Sequence, residues 1–180
     1  MFYTLFETAL GTCAVVFKTE ESAEVIHILL PQSKKEIKSQ ISIQFPGSEE
    51  SSHPEINTLI SEIVKYLNGD EVLFTKDIID TSVFYPFQQR VMQTDWNIPR
   101  GMTATYGWVA KQIGTNGVRA VGNANARNPI PLVYPCHRVI RSDRTLGGFG
   151  GGLEMKRQLL EMEGVEFDSS GRVCPEYILS

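Results

Sequence analysis

Apolar and β-forming residues open the chain in two runs, 2–6 and 13–17, separated by Leu10 and Gly11. Short runs rich in Phe, Tyr, Thr and Val around a glycine predict two strands of a hairpin. A third run, 25–30, predicts a strand ended by Pro31, 34–45 predicts a short helix, and 46–52 is polar and turn-rich, a loop. The clearest periodicity follows. Ile56, Leu59, Ile60, Ile63, Val64 and Leu67 recur at i, i+3, i+4, i+7, i+8 and i+11, one buried helical face. Pro54 suits its first turn and Asn68-Gly69 its end. Residues 71–75 read as strand and 77–83 as a linker, so the first half is a small α/β unit.

The second half is mainly helical. Residues 86–95 place Phe87, Val91 and Met92 on one face. Residues 105–113 form a short helix stopped by Gly114; Asn116 can cap a second, 117–126, which stops ahead of Pro129 because the residue before a proline avoids helical angles. Two short helices around a glycine turn are a helix-turn-helix candidate, a weak signal alone. A segment at 131–140, a glycine loop at 147–152 and a helix at 153–163 ended by Gly164 follow. Five of the six loop residues are glycine, Phe149 being the exception. That composition is compatible with unusual backbone angles, with close approach to a ligand, or with plain flexibility. The expected division is an α/β domain at 1–82, a second domain at 83–168 and a C-terminal tail at 169–180.

Length and composition narrow the class. At 180 residues and 42% hydrophobic content, the chain suits one large soluble domain or two small ones. No apolar run approaches the roughly 18 residues of a membrane span. The first twenty residues carry Glu7 and Glu20 and no basic leader, so a cytoplasmic or nucleoid location without a membrane partner is expected. The net charge of −4 argues against a nucleic-acid partner until the chain is divided. Residues 1–83 hold six Lys and Arg against thirteen Asp and Glu, net −7, whereas residues 84–163 hold ten against five, net +5. Only the second half is suited to a polyanion.

Cys13, Cys136 and Cys174 form no even framework and no C-x-x-C pair, so neither disulfides nor a structural zinc site is expected. His27 and His53 lack a second ligand at metal spacing. Cys136 is followed directly by His137, but neighbouring side chains of an extended segment point to opposite faces, so any coupling has to run through water or backbone. Pro131 and Pro135 stiffen the approach. Residue types alone leave Cys136 open between a buried structural sulfur and a nucleophile.

The order and spacing of Asn128-Pro129-Ile130-Pro131, Pro135-Cys136-His137-Arg138-Val139-Ile140, Gly151-Gly152-Leu153, Lys156, Leu159-Leu160 and Glu163-Gly164 resemble the O6-alkylguanine-DNA alkyltransferase family. The likeness includes Pro86-Phe87-Gln88, Tyr106 and Arg119-Ala120-Val121-Gly122 and so covers 84–164. The first half is similar more loosely, through Phe6-Glu7-Thr8, Leu10-Gly11 and Tyr66-Leu67-Asn68-Gly69. The resemblance implies a ribonuclease H-like α/β domain followed by a mainly α, winged-helix-like domain with a helix-turn-helix. It also implies stoichiometric, irreversible transfer of an alkyl group from O6-alkylguanine in double-stranded DNA to Cys136, without cofactor, metal or obligate protein partner. O4-alkylthymine is left open as a second substrate.

In that family Cys136 attacks as a thiolate, His137 takes its proton through a water, and Glu163 holds the other imidazole nitrogen. Guanine leaves as an anion, for which Tyr106 is the implied donor and Lys156 a second candidate. The target base has to be turned out of the duplex, and Arg119 is implied to fill the space it leaves. Arg119, Tyr106, Ala120, Asn123 and Arg127 would contact DNA through its minor groove and phosphates, with little sequence readout. Asn128, Pro131, Val139, Phe149, Gly150 and Gly151 would form the lesion pocket, with Asn128 bonding to turn backbone. This chain departs from the pattern at Gly150, where many relatives have serine, and at Phe149, where some have tyrosine; each change removes a donor. The human-type zinc cluster is unmatched. The main rival is a non-enzymatic alkylation-damage-binding protein, which Cys136 argues against. A thiol hydrolase would leave the basic half unexplained, and a plain DNA-binding regulator the Cys-His-Glu set.

Overall fold

A computed structural model describes residues 1–18 and 23–180 and divides the chain into two units, Met1–Val83 and Phe84–Ser180. The architecture is mixed α/β, with six α-helices among the described residues. None of the described helices is long and apolar enough to cross a membrane.

In the first unit β1 (Phe2–Thr8) and β2 (Gly11–Phe17) form an antiparallel hairpin, with Phe2 opposite Phe17 and Thr8 opposite Gly11. β3 (Val25–Gln32) pairs with β2, and β4 (Glu49–Glu50) adds parallel to β1, giving the order β3-β2-β1-β4. Residues 12–17 are buried throughout, so both faces of the sheet are covered. α1 (Lys34–Gln44) starts in a capping box between Ser33 and Glu36 and packs Ile37 and Ile41 on Ala14 and Leu29. α2 (Pro54–Leu67) buries Ile56, Leu59, Ile63, Tyr66 and Leu67, each contributing about 1.5–3 kcal/mol if fully buried. His53 caps it, its Nδ1 accepting from the Glu55 amide at 3.3 Å.

Four expectations need correction here. β3 runs through Pro31, because an edge strand tolerates a residue that cannot donate to a ladder. The predicted loop at 46–52 contains β4. Residues 71–75 form no strand; Thr75 is held instead by side-chain bonds to Glu62, at 2.9 Å from its amide and 2.6 Å from its hydroxyl. The linker at 77–83 is partly fastened, since Ile79 bridges Val25 and Lys18 pairs with Asp80.

In the second unit α3 (Pro86–Trp96) turns Gln88, Val91, Met92 and Asp95 inward, whereas Phe87 is only half-buried. α4 (Tyr106–Gln112) is capped by Thr105, whose hydroxyl accepts from the Trp108 amide at 3.0 Å. Gly117, not Asn116, occupies the cap position of α5 (Val118–Ala126), and the Thr115 hydroxyl accepts its amide at 3.1 Å. Gln88 Nε2 donates to the carbonyls of Ala124 (3.1 Å) and Arg127 (2.9 Å), fixing α3 to the end of α5. β5 (Ala104–Thr105) pairs parallel with β6 (Val139–Ile140), and α6 (Gly152–Met162) closes the helical part. The segment expected as a tail is built into this unit. Val173 is fully buried against Ile140, Leu160 and Val165, and the Leu179 amide donates to the Thr103 carbonyl at 2.8 Å.

Candidate active site

Cys136 opens a single 3-10 turn, Cys136–Arg138, that leads into β6. Leu132 reaches this segment with φ +72°, an angle a branched side chain adopts at a cost of about 1–3 kcal/mol, held here by burial and by the Tyr134 amide donating to the Ile130 carbonyl at 3.0 Å. Asn128 fastens the segment from one side chain. Its Oδ1 accepts from the Ile130 amide at 3.0 Å, while Nδ2 donates to the Tyr134 carbonyl at 2.8 Å and to Cys136 Sγ at 3.2 Å. Burial pushes the Cys136 thiol up to about 11; Asn128 and Lys156 favour the thiolate, and Asp95 opposes it.

The turn also separates the roles of the next two residues. His137 is fully buried, with Nε2 3.1 Å from Glu163 Oε1. Arg138 grips the same carboxylate through Nη2 to Oε1 (2.7 Å) and Nε to Oε2 (3.0 Å), and its Nη1 donates to the Ile98 carbonyl at 2.7 Å. Burial lowers the His137 pKa, partly countered by Glu163. Burial would raise Glu163, but His137 and Arg138 outweigh it and hold the carboxyl well below the usual range. A neutral imidazole oriented by an ionised carboxylate is the state a proton acceptor requires.

A cavity of about 460 Å³ is lined by Tyr106, Gly122, Ala126, Arg141 and the loop residues Gly147, Gly148, Phe149 and Gly150. Gly147 has φ +69°, and a Cβ there would lie 2.9 Å from the Tyr106 hydroxyl, so both angle and space demand glycine. Phe149 meets His137 edge-on, ring centroids 6.2 Å apart. Burial raises the Tyr106 hydroxyl to about 12, with a smaller contribution from Cys136. Lys156 is fully buried; its ammonium donates to the carbonyls of Val139 (2.6 Å) and Gly148 (3.2 Å), joining β6 to the glycine loop. Burial lowers Lys156 to about 8, against the fields of Cys136 and Asp95.

Cys136, His137, Glu163, Asn128, Tyr106 and Lys156 are thus gathered around one segment and one cavity. Phe149 and Gly150 lie in the cavity wall, Pro131 and Val139 are buried in the segment that carries Cys136, and Gly151 precedes α6. Arg119, Ala120, Asn123 and Arg127 are exposed along α5 and its C-terminal cap. Three features went unread in the sequence: Arg138 as a second partner of Glu163, Arg141 in the cavity wall, and Asp95 fully buried on α3. Asp95 could have been found from its position seven residues after Gln88 on the inward face of α3.

Residues 86–165 match the model of the 6-O-methylguanine DNA methyltransferase DNA-binding domain. The chain is similar to a methylated-DNA–protein-cysteine methyltransferase of Methanothermobacter thermautotrophicus, 45% identical over 122 residues, 67% of this chain and 69% of the relative. It is also similar to one of Methanosarcina acetivorans, 32% identical over 165 residues, 91% of this chain and 99% of the relative. The crystal structure of Mycobacterium tuberculosis OGT in complex with DNA has a similar fold, with TM-score 0.69 and 29% identity, covering 91% of this chain and 92% of that one. This chain belongs to the methylated-DNA–protein-cysteine methyltransferase family.

Proposed function

We propose that the protein repairs DNA by moving an alkyl group from O6 of guanine to Cys136 in a single irreversible event. The observation that carries this reading is a buried cysteine held by Asn128 Nδ2 at 3.2 Å, beside a histidine oriented by Glu163 at 3.1 Å. The membership of the family, whose relatives bear the name of that activity, supports it. Cys136 carries its proton as a thiol at rest. His137 withdraws the proton, using Nδ1, the nitrogen that Glu163 does not engage, through an intervening water. The sulfur then forms a bond to the alkyl carbon as the carbon–O6 bond breaks, the electron pair passes to guanine, and the ring regains one proton. Tyr106, at the cavity wall, donates toward the departing base, while Lys156 steadies the wall through Val139 and Gly148. A thioether has no route back to thiol here, so each molecule reacts once.

Delivery of the base rests on α5. Its exposed Arg119, Ala120 and Asn123, with Arg127 at the cap, form the DNA-facing surface; Arg119 fills the duplex when the damaged nucleotide turns out into the cavity. The M. tuberculosis relative was crystallised with DNA, which supports a DNA partner. The sheet order β3-β2-β1-β4 with two helices supports a ribonuclease H-like first unit, and the α4–α5 pair beside a small sheet supports a winged-helix-like second. Cys136 is the residue a purely damage-binding protein would not require.

The reading is tested by counting repaired guanines released from excess O6-methylguanine duplex. One equivalent per protein followed by arrest is expected. Continued turnover, or no repair, overturns it.

A further inference from the structure

Arg141 follows β6 directly and lines two neighbouring cavities, the one of about 460 Å³ against α5 and a smaller one of about 290 Å³ that reaches the start of α6. The two share the glycine loop, and Arg141 is the one charged residue in either wall among the described residues. Its side chain is exposed. Elsewhere in this unit Arg90, Arg100, Arg138, Arg144 and Arg157 are each fastened to a carbonyl or a carboxylate. The Arg141 guanidinium closes no hydrogen bond or ion pair among the described residues.

The turn that carries this cation is fixed. The Arg141 amide donates to the Thr145 carbonyl at 2.9 Å, and the Arg144 amide donates to the Arg141 carbonyl at 3.0 Å. Asp143, the nearest acid in the chain, is turned to Thr145, its Oδ1 accepting from the amide at 3.0 Å and from the hydroxyl at 2.7 Å. Arg144 is turned to Asp168 at 3.3 Å, so Arg141 alone of this turn presents its charge to the cavity. Another wall of the same cavity is α5, through Gly122 and Ala126. They lie three and seven residues after Arg119, on one helical face, so the surface proposed to meet DNA runs into the cavity. A nucleotide turned in from that surface brings an uncharged base and, on either side of it, a phosphate with a full negative charge. The base needs no cation from the wall. A phosphate at the cavity mouth matches the planar, two-pronged donor that an exposed guanidinium offers.

We infer that Arg141 binds a backbone phosphate next to the turned-out nucleotide and holds that nucleotide in the cavity while Cys136 reacts. The inference rests on the alkyltransferase reading and adds to it a DNA contact outside α5. Arg119 fills the space left in the duplex, and Arg141 holds what has left it, so the two oppose the return of the base from opposite ends of one movement.

The test removes each partner in turn. Single-turnover repair is timed on O6-methylguanine duplexes in which the phosphate on the 5′ or the 3′ side of the lesion is replaced by an uncharged methylphosphonate. With the unsubstituted protein one of the two replacements should slow repair about 10- to 100-fold, as loss of a charge-assisted bond does. Arg141→Met should slow repair of the unmodified duplex by a similar factor and be indifferent to that replacement, and Arg141→Gln should repeat the result. Arg141→Lys, which keeps the charge without the fork, should retain part of the rate and part of the sensitivity. The slope of log affinity for duplex against log salt should fall by about 0.9 in Arg141→Met, one phosphate contact. If Arg141→Met stays as sensitive as the unsubstituted protein to replacement at both positions, the phosphate contact is overturned. Equal slowing of duplex and of free O6-alkylguanine base by Arg141→Met also overturns it, because the charge would then act on the departing base. Failure of the unsubstituted protein to take an alkyl group from either substrate would instead overturn the alkyltransferase reading, so the two failures are distinct.

Discussion

Asn128 Nδ2 donates to Cys136 Sγ at 3.2 Å, with the same amide held by the Tyr134 carbonyl and the Ile130 amide. The donor is therefore oriented before the sulfur ionises and is worth more to the thiolate than to the thiol. Asn128→Ala should raise the thiol pKa and slow transfer at neutral pH by about 10- to 100-fold, the loss of a charge-assisted bond of about 1.5–3 kcal/mol. Rates of Cys136 alkylation against pH check this. An unchanged profile would remove Asn128 from thiolate stabilisation.

Glu163 makes stability depend on pH. Its folded pKa is depressed, so its contribution is complete above about pH 4.3, the unfolded carboxylate value, and is lost as pH falls toward the folded one. His137, also depressed, adds a loss that begins as pH falls below about 6.5. Glu163→Gln should cost about 3–5 kcal/mol at neutral pH, because Arg138 loses its buried partner, and should flatten the acid limb. Urea midpoints from about pH 2 to 8 check both, and parallel curves for the two proteins below about pH 4.3 would contradict the assignment.

Gly147→Ala forces a Cβ to 2.9 Å from the Tyr106 hydroxyl at a φ of +69°. A stability loss of about 1–3 kcal/mol is expected, with slower transfer from a displaced Tyr106. Thermal unfolding and transfer rates on one preparation measure the two effects, and an unaffected transfer rate would separate Tyr106 from the reaction.

Arg119→Ala should slow repair within duplex DNA more than reaction with a free O6-alkylguanine base, because only the duplex needs its vacated space filled. Equal slowing of both would place Arg119 outside base extrusion.

Much of this organisation was legible in the sequence because it is local. The 3.6-residue periodicity of 54–67 and the β-forming runs around Gly11 specify their elements through their own side chains. Residues 71–75 misled because a β-like composition is not a strand without a partner, and Thr75 found its partner in the Glu62 side chain. The candidate site was legible only through motif resemblance. Adjacency of Cys136 and His137 says nothing of a 3-10 turn, and no spacing shows that Arg138 shares Glu163 or that Lys156 turns inward. Asp95 escaped because its burial is set by the packing of α4 and α5 on α3, which no local pattern shows.

In the proposed reaction the sulfur that reacts is Cys136, buried at 6% exposure, although Cys174 is more accessible. Peptide mass analysis after exposure to excess O6-methylguanine duplex tests this most directly. One methyl group per molecule is expected, on the peptide bearing Cys136. Methyl on Cys13 or Cys174, or none on Cys136 after repair, would contradict it.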